Sequence, residues 1–108
     1  MPRADATFVQ PVLLTGTAAT LATSPAAGSK WIIRHIHFAN EDTSARTVTF
    51  SIGADAAGTE IVKAKSIPAN DVLDMYGIWE VPASTVLQGL ASVTSVVNIT
   101  VSGTLNTP

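Results

Sequence analysis

The sequence predicts an all-β protein: one antiparallel β-sandwich domain over residues 1–108, jelly-roll-like, with about eight strands. Three observations lead there. No stretch keeps apolar residues at helical spacing. Clusters of Gly, Pro, Asn, Asp and Ser recur roughly every eight to twelve residues, and the segments between them alternate apolar and polar side chains at period two. A chain of 108 residues can build one modest core, burying roughly two-thirds of its unfolded surface.

In chain order, residues 1–6 read as an extended N-terminal arm. Residues 7–15 form a first strand that Pro11 confines to a sheet edge. Residues 17–23 are a short Ala/Thr strand, and the Ser24-Pro25 and Gly28-Ser29 pairs mark a turn. Residues 30–40 are the longest β-type run, rich in β-branched and aromatic side chains, and are placed at the centre of the sheet. At strict period two, Ile32, Ile36 and Phe38 share one face, while Trp31, Ile33, His35 and His37 share the other. Neither face is simply polar. The strip of Trp31, Ile33, His35 and His37 is therefore expected to be a covered face, and in so small a domain a neighbouring subunit is the expected cover.

A polar loop at 40–45 leads to a strand at 46–53, with Val48, Phe50 and Ile52 inward and Thr47, Thr49 and Ser51 outward. These two strands are expected to pair as a hairpin. Residues 54–59 form a small-residue loop, residues 60–67 an amphipathic strand, and Pro68-Ala69-Asn70-Asp71 a turn. A strand at 72–79 carries Gly77 at an expected bulge. After Pro82-Ala83-Ser84 come a strand at 85–91 and a last one at 95–103, with Val97, Ile99 and Val101 inward. Residues 104–108 read as a C-terminal tail.

Composition narrows the function classes. Charged residues make up 13% and hydrophobic residues 46% of the chain, with a mean hydropathy of +0.34. That charge content is about half the usual share, as expected where much of a surface is interface. No apolar run approaches the roughly 20 residues of a spanning helix, so no membrane insertion is expected. Net charge is −2, and Lys63 and Lys65 are the only close basic pair, so no nucleic-acid partner is expected. There is no cysteine, hence no disulfide framework and no thiol chemistry. The stretch from Met1 to Thr17 is too short in apolar residues for a secretory leader.

Candidate chemistry is sparse. His35 and His37 would place two imidazoles on one strand face, and Glu41 could add a carboxylate for zinc, iron or manganese. The spacing is close to the first cupin motif. However, Gly28 lies one residue too far from His35, Val48 stands where a glycine belongs, and the chain holds only two histidines. No metal and no cofactor are therefore assigned. Asp71, Asp74 and Glu80 would have to converge to act as an acid pair, and Asp71 and Asp74 fall on opposite strand faces. No nucleophile elbow or phosphate loop is present, so no catalytic residue is assigned and the protein is not expected to be an enzyme. Trp31, Tyr76 and Trp79 could form a sugar-stacking platform, although core packing competes for them.

The order of features is also informative. A Ser/Pro/Gly turn precedes a strand ending Phe38-Ala39-Asn40. A polar loop and Ala45-Arg46-Thr47-Val48-Thr49-Phe50 follow, then Ile67-Pro68-Ala69-Asn70 and Gly77-Ile78-Trp79. Pro82-Ala83-Ser84-Thr85-Val86-Leu87-Gln88 and Val97-Asn98-Ile99-Thr100-Val101-Ser102-Gly103 complete the series. Over about residues 12–103 this order resembles small all-β virion proteins of tailed bacteriophages, which are minor tail or other structural components. The resemblance implies a non-enzymatic structural protein made in the host cytoplasm and placed in the virion, on the tail or the capsid surface. It implies other virion proteins and further copies of the chain as partners. Capsid decoration is the alternative placement, and a carbohydrate-binding module at the tail tip, facing a host-surface glycan, is the alternative function.

Overall fold

The computed structural model describes residues 3–25, 29–54, 56 and 58–106, the side chain of Arg3 excepted. Eight strands follow one another: β1 (Arg3–Leu13), β2 (Ala19–Thr23), β3 (Lys30–Asn40), β4 (Arg46–Ile52), β5 (Glu60–Ile67), β6 (Val72–Val81), β7 (Val86–Ala91) and β8 (Val97–Asn106). They form two four-stranded sheets, ordered β1-β8-β3-β6 and β2-β7-β4-β5. Every ladder is antiparallel. Only β4 and β5 are neighbours both in sequence and in a sheet; the other connections cross between sheets. That order is the interleaved double Greek key of a jelly roll.

The core lies between the sheets and is made of the alternate side chains that the sequence pattern points inward. Ile36 and Phe38 come from β3, Val48 and Phe50 from β4, Leu87 from β7, and Val97, Ile99 and Val101 from β8, all essentially inaccessible. β4 is buried on its other side too. Thr49 Oγ1 accepts a hydrogen bond from the Ala64 N–H at 3.0 Å, and Ser51 Oγ donates to the Gly53 carbonyl at 2.8 Å. Both hydroxyls are thereby satisfied where water is excluded.

Three expectations are corrected. First, β3 and β4 do not form a hairpin; they lie in opposite sheets, and residues 41–45 cross between them. Buried Asn40 fixes that crossing. Its Nδ2 donates to the carbonyls of Ser44, Ile67 and Pro68 at 3.0, 3.1 and 3.2 Å, and its Oδ1 accepts from the Asp42 N–H at 3.0 Å. Second, the outer strands run on into the regions read as arm and tail, because residues 3–6 pair with residues 103–106 and lengthen the β1–β8 ladder. Residues 1–2 and 107–108 lie outside the described part, as do residues 26–28 of the turn before β3.

Third, the face of β3 switches part-way along. A register shift between Ile33 and His35 appears against both β8 and β6. Ile33 is completely buried and Trp31 packs against the core, so before the shift the odd-numbered side chains point inward. Beyond it Ile36 and Phe38 point inward, and His35 and His37 point out. Gly103 makes room for this bulge: a Cβ there would run into the Ile32 carbonyl oxygen and stand 2.9 Å from the Arg34 nitrogen. β5 resets in the same way at Ala64, which has φ +47°, so that Val62 and Ile67 are both buried.

Candidate functional site

The bulge in β3 delivers His35 and His37 to the outer face of the β1-β8-β3-β6 sheet. There β6 runs alongside, with His35 opposite Tyr76 and His37 opposite Asp74. From Val72 to Tyr76 β6 alternates regularly, so Asp74 and Tyr76 face the same way as the imidazoles. Asp74 Oδ1 lies 2.8 Å from His35 Nε2 and 2.6 Å from His37 Nδ1. The Tyr76 ring stacks on that of His35, with centroids 4.5 Å apart and planes 1° from parallel.

The hydrogen bond from His37, and next that from His35, hold the Asp74 carboxyl below its ordinary pKa of 3.8, against the opposing effect of partial burial. The carboxylate can only accept, so each imidazole presents an N–H to it. All three side chains remain about one-third exposed, at 31%, 32% and 34%. The three donor atoms lie within 4.8 Å of one another. Two nitrogens and one oxygen therefore converge at a surface that solvent reaches.

Other residues singled out from the sequence do not join this cluster. Glu41 accepts a hydrogen bond from Asn98 Nδ2 at 2.6 Å instead. The strip of Trp31, Ile33, His35 and His37 is divided by the bulge: Ile33 is in the core, Trp31 stacks on Phe8 at 4.5 Å, and only the two histidines face out. Asp71 accepts from the Val72 N–H at 2.8 Å, and Glu80 pairs with Lys30 at 2.9 Å, so the three carboxylates do not converge. Trp31 and Trp79 both pack against the core, while Tyr76 is 75% exposed; the three rings form no shared platform. Asp74 is the residue that sequence reasoning did not connect to the histidines, and its signal lay in the pairing of β3 with β6.

Around the cluster, β6 exposes a row of apolar side chains. Val72, Tyr76 and Ile78 are 50%, 75% and 71% accessible. Among the described residues β6 is also the last strand of its sheet, with no strand paired to its outer edge. Beneath it, Leu73 and Met75 meet Ile61, Val62, Lys63 and Lys65 of β5 across a groove of about 280 Å3.

No protein-family model matches the sequence, and no curated protein matches it. Among solved structures, a chain of the Bacillus endospore appendages, described as disulfide-linked pili, is similar with a TM-score of 0.56. That match spans 97% of this chain and 88% of the other at 11% identity. A chain of infectious bursal disease virus, Gx strain, is similar with a TM-score of 0.48 over 96% of this chain at 14% identity, and the match spans 35% of the viral chain. At such identities the likeness to the appendage chain is one of fold.

Proposed function

We propose that this protein is a non-enzymatic structural subunit of a virion, a minor tail component of a tailed bacteriophage that acts by packing against copies of itself in a symmetric assembly. The observation that carries this reading is β6: ten residues long, with no strand paired to its outer edge among the described residues, and lined outward by Val72, Tyr76 and Ile78. A long edge strand with exposed apolar side chains invites another chain, and monomeric proteins usually blunt such edges. The low charge content agrees, because interface cores are depleted in charged residues. The fold also suits repetition, since the endospore appendage chain that shares it belongs to pili. Those pili are disulfide-linked, whereas this sequence has no cysteine, so its subunits would hold by packing alone.

Capsid decoration by the same edge is the nearest alternative, with the same chemistry at a different site on the particle. The glycan-binding alternative loses support, because two of its three aromatic rings are turned toward the core.

Light scattering across a concentration series tests the reading. The expected result is a closed oligomer such as a trimer or hexamer, whose mass falls to that of a monomer in the Tyr76→Lys, Ile78→Lys double variant while far-UV circular dichroism is unchanged. A wild-type monomer at every concentration up to about 1 mM, the top of the affinity scale for weak association, would remove self-assembly.

A further inference from the structure

We propose that His35, His37 and Asp74 form a binding site for one divalent transition-metal ion of the zinc and nickel class, and that the ion clips the edge strand β6 to β3. The site shares the outer face of β6 with the proposed assembly surface, but ion binding in a single chain does not require assembly. His35 Nε2, His37 Nδ1 and Asp74 Oδ1 already lie within 4.8 Å of one another. Zinc takes imidazole nitrogen and carboxylate oxygen at about 2.0–2.2 Å, which sets donors in a tetrahedral shell roughly 3.3 Å apart. The present nitrogen–oxygen spacings of 2.8 and 2.6 Å need to widen by about half an ångström, which rotation of the exposed Asp74 side chain supplies. The two imidazole nitrogens, separated by up to 4.8 Å, need to close toward the tetrahedral spacing, which small rotations of the partly exposed His35 and His37 side chains supply.

Two features favour an ion over a purely hydrogen-bonded cluster. The donors are carried by the backbones of two paired strands, with His37 and Asp74 as direct register partners, so little chain entropy is lost on binding. The Tyr76 ring stacked on His35 holds that imidazole in the orientation that aims Nε2 at the common point. Two nitrogens among three donors select zinc, nickel, cobalt or copper over magnesium and calcium, which prefer oxygen shells. On binding, each imidazole moves its proton to its outer ring nitrogen, His35 Nδ1 and His37 Nε2, and turns a lone pair to the ion; Asp74 exchanges two hydrogen bonds for one metal bond. Water fills the remaining positions on the exposed side.

Calorimetric titration of chelator-stripped protein with Zn2+ at neutral pH tests the site, with Mg2+ as control. One zinc per chain with micromolar or tighter affinity is expected, no magnesium uptake, and at least tenfold weaker zinc binding in Asp74→Asn. Because the chain has only two histidines, side-chain 15N resonances read the site without any variant: both imidazoles should shift together and saturate at one equivalent. A wild-type protein that takes up no zinc at about 100 μM, or in which zinc moves one imidazole and not the other, overturns the proposal. So does undiminished zinc binding in a folded His35→Ala, His37→Ala variant.

Discussion

The strands β5 and β6 end the two sheets on the same flank of the sandwich, facing each other across the groove, yet they are finished in opposite ways. β5 is broken by a left-handed residue at Ala64, loses register with β4 twice, and sets out Lys63 and Lys65 beside it. Lys63 is mostly solvent-exposed and reaches back to Glu60 at 3.3 Å. Bulges and lysines are the means by which proteins keep a free edge from pairing. β6 has no lysine, and its one irregularity, the expected bulge at Gly77, falls in its ladder with β3 between Tyr76 and Trp79; its side chains alternate from Val72 to Val81 and expose Val72, Tyr76 and Ile78. One flank thus carries an edge set out with lysines and one set out with apolar side chains.

The largest expected effect comes from removing the bulge that sets β3 beside β6. Gly103→Val should destabilise the fold by about 3 kcal/mol or more, since its Cβ meets backbone that cannot yield; an unchanged urea midpoint would show that β3 lacks this bulge. Next, the Tyr76→Lys, Ile78→Lys pair should weaken self-association by roughly 100-fold, the scale of losing two interface anchors, at an unchanged melting temperature. The opposite change on the lysine-bearing edge, Lys63→Val with Lys65→Val, should raise light scattering with concentration; if it does not, the lysines are not what keeps β5 free.

The smallest effect is expected at the end where β5 turns into β6. The hydrogen bond from Arg46, followed by the Thr43 N–H, holds Asp42 below its ordinary pKa of 3.8. Its carbonyl accepts from the Asn70 N–H at 3.0 Å in the β5–β6 turn. A lowered carboxylate pKa means that the unfolded chain binds the extra proton first. The stabilisation is full above 3.8 and is lost as pH falls through the folded-state value. Acid unfolding of Asp42→Asn should therefore show a shallower pH dependence below about 4 than wild type.

Much of the fold was legible because alternation survives in β4 and β8, where inward positions such as Val97, Ile99 and Val101 could be read directly. β3 and β5 defeated the same reasoning, since nothing in Ile33-Arg34-His35 or Lys63-Ala64-Lys65 announces an extra residue in the ladder. The hairpin expected of β3 and β4 was misread for a different reason. A five-residue connection serves a turn within one sheet or a crossing between two, and the deciding contacts of Asn40 reach Ile67 and Pro68, far along the chain. At the candidate site His35 and His37 were visible as a pair. Their carboxylate partner depended on strand pairing, which brings Asp74 rather than the nearby Glu41 to the imidazoles.

The pairing of Arg3 with Asn106 bears on how quickly such a protein can form. That ladder joins the two ends of the described residues, so closing it spans nearly all of them, and contacts so distant in sequence slow folding. Until β1 docks, β8 has a bare edge of its own and can capture the first strand of another copy. Slow closure of that ladder would favour exchange of β1 between copies at high concentration.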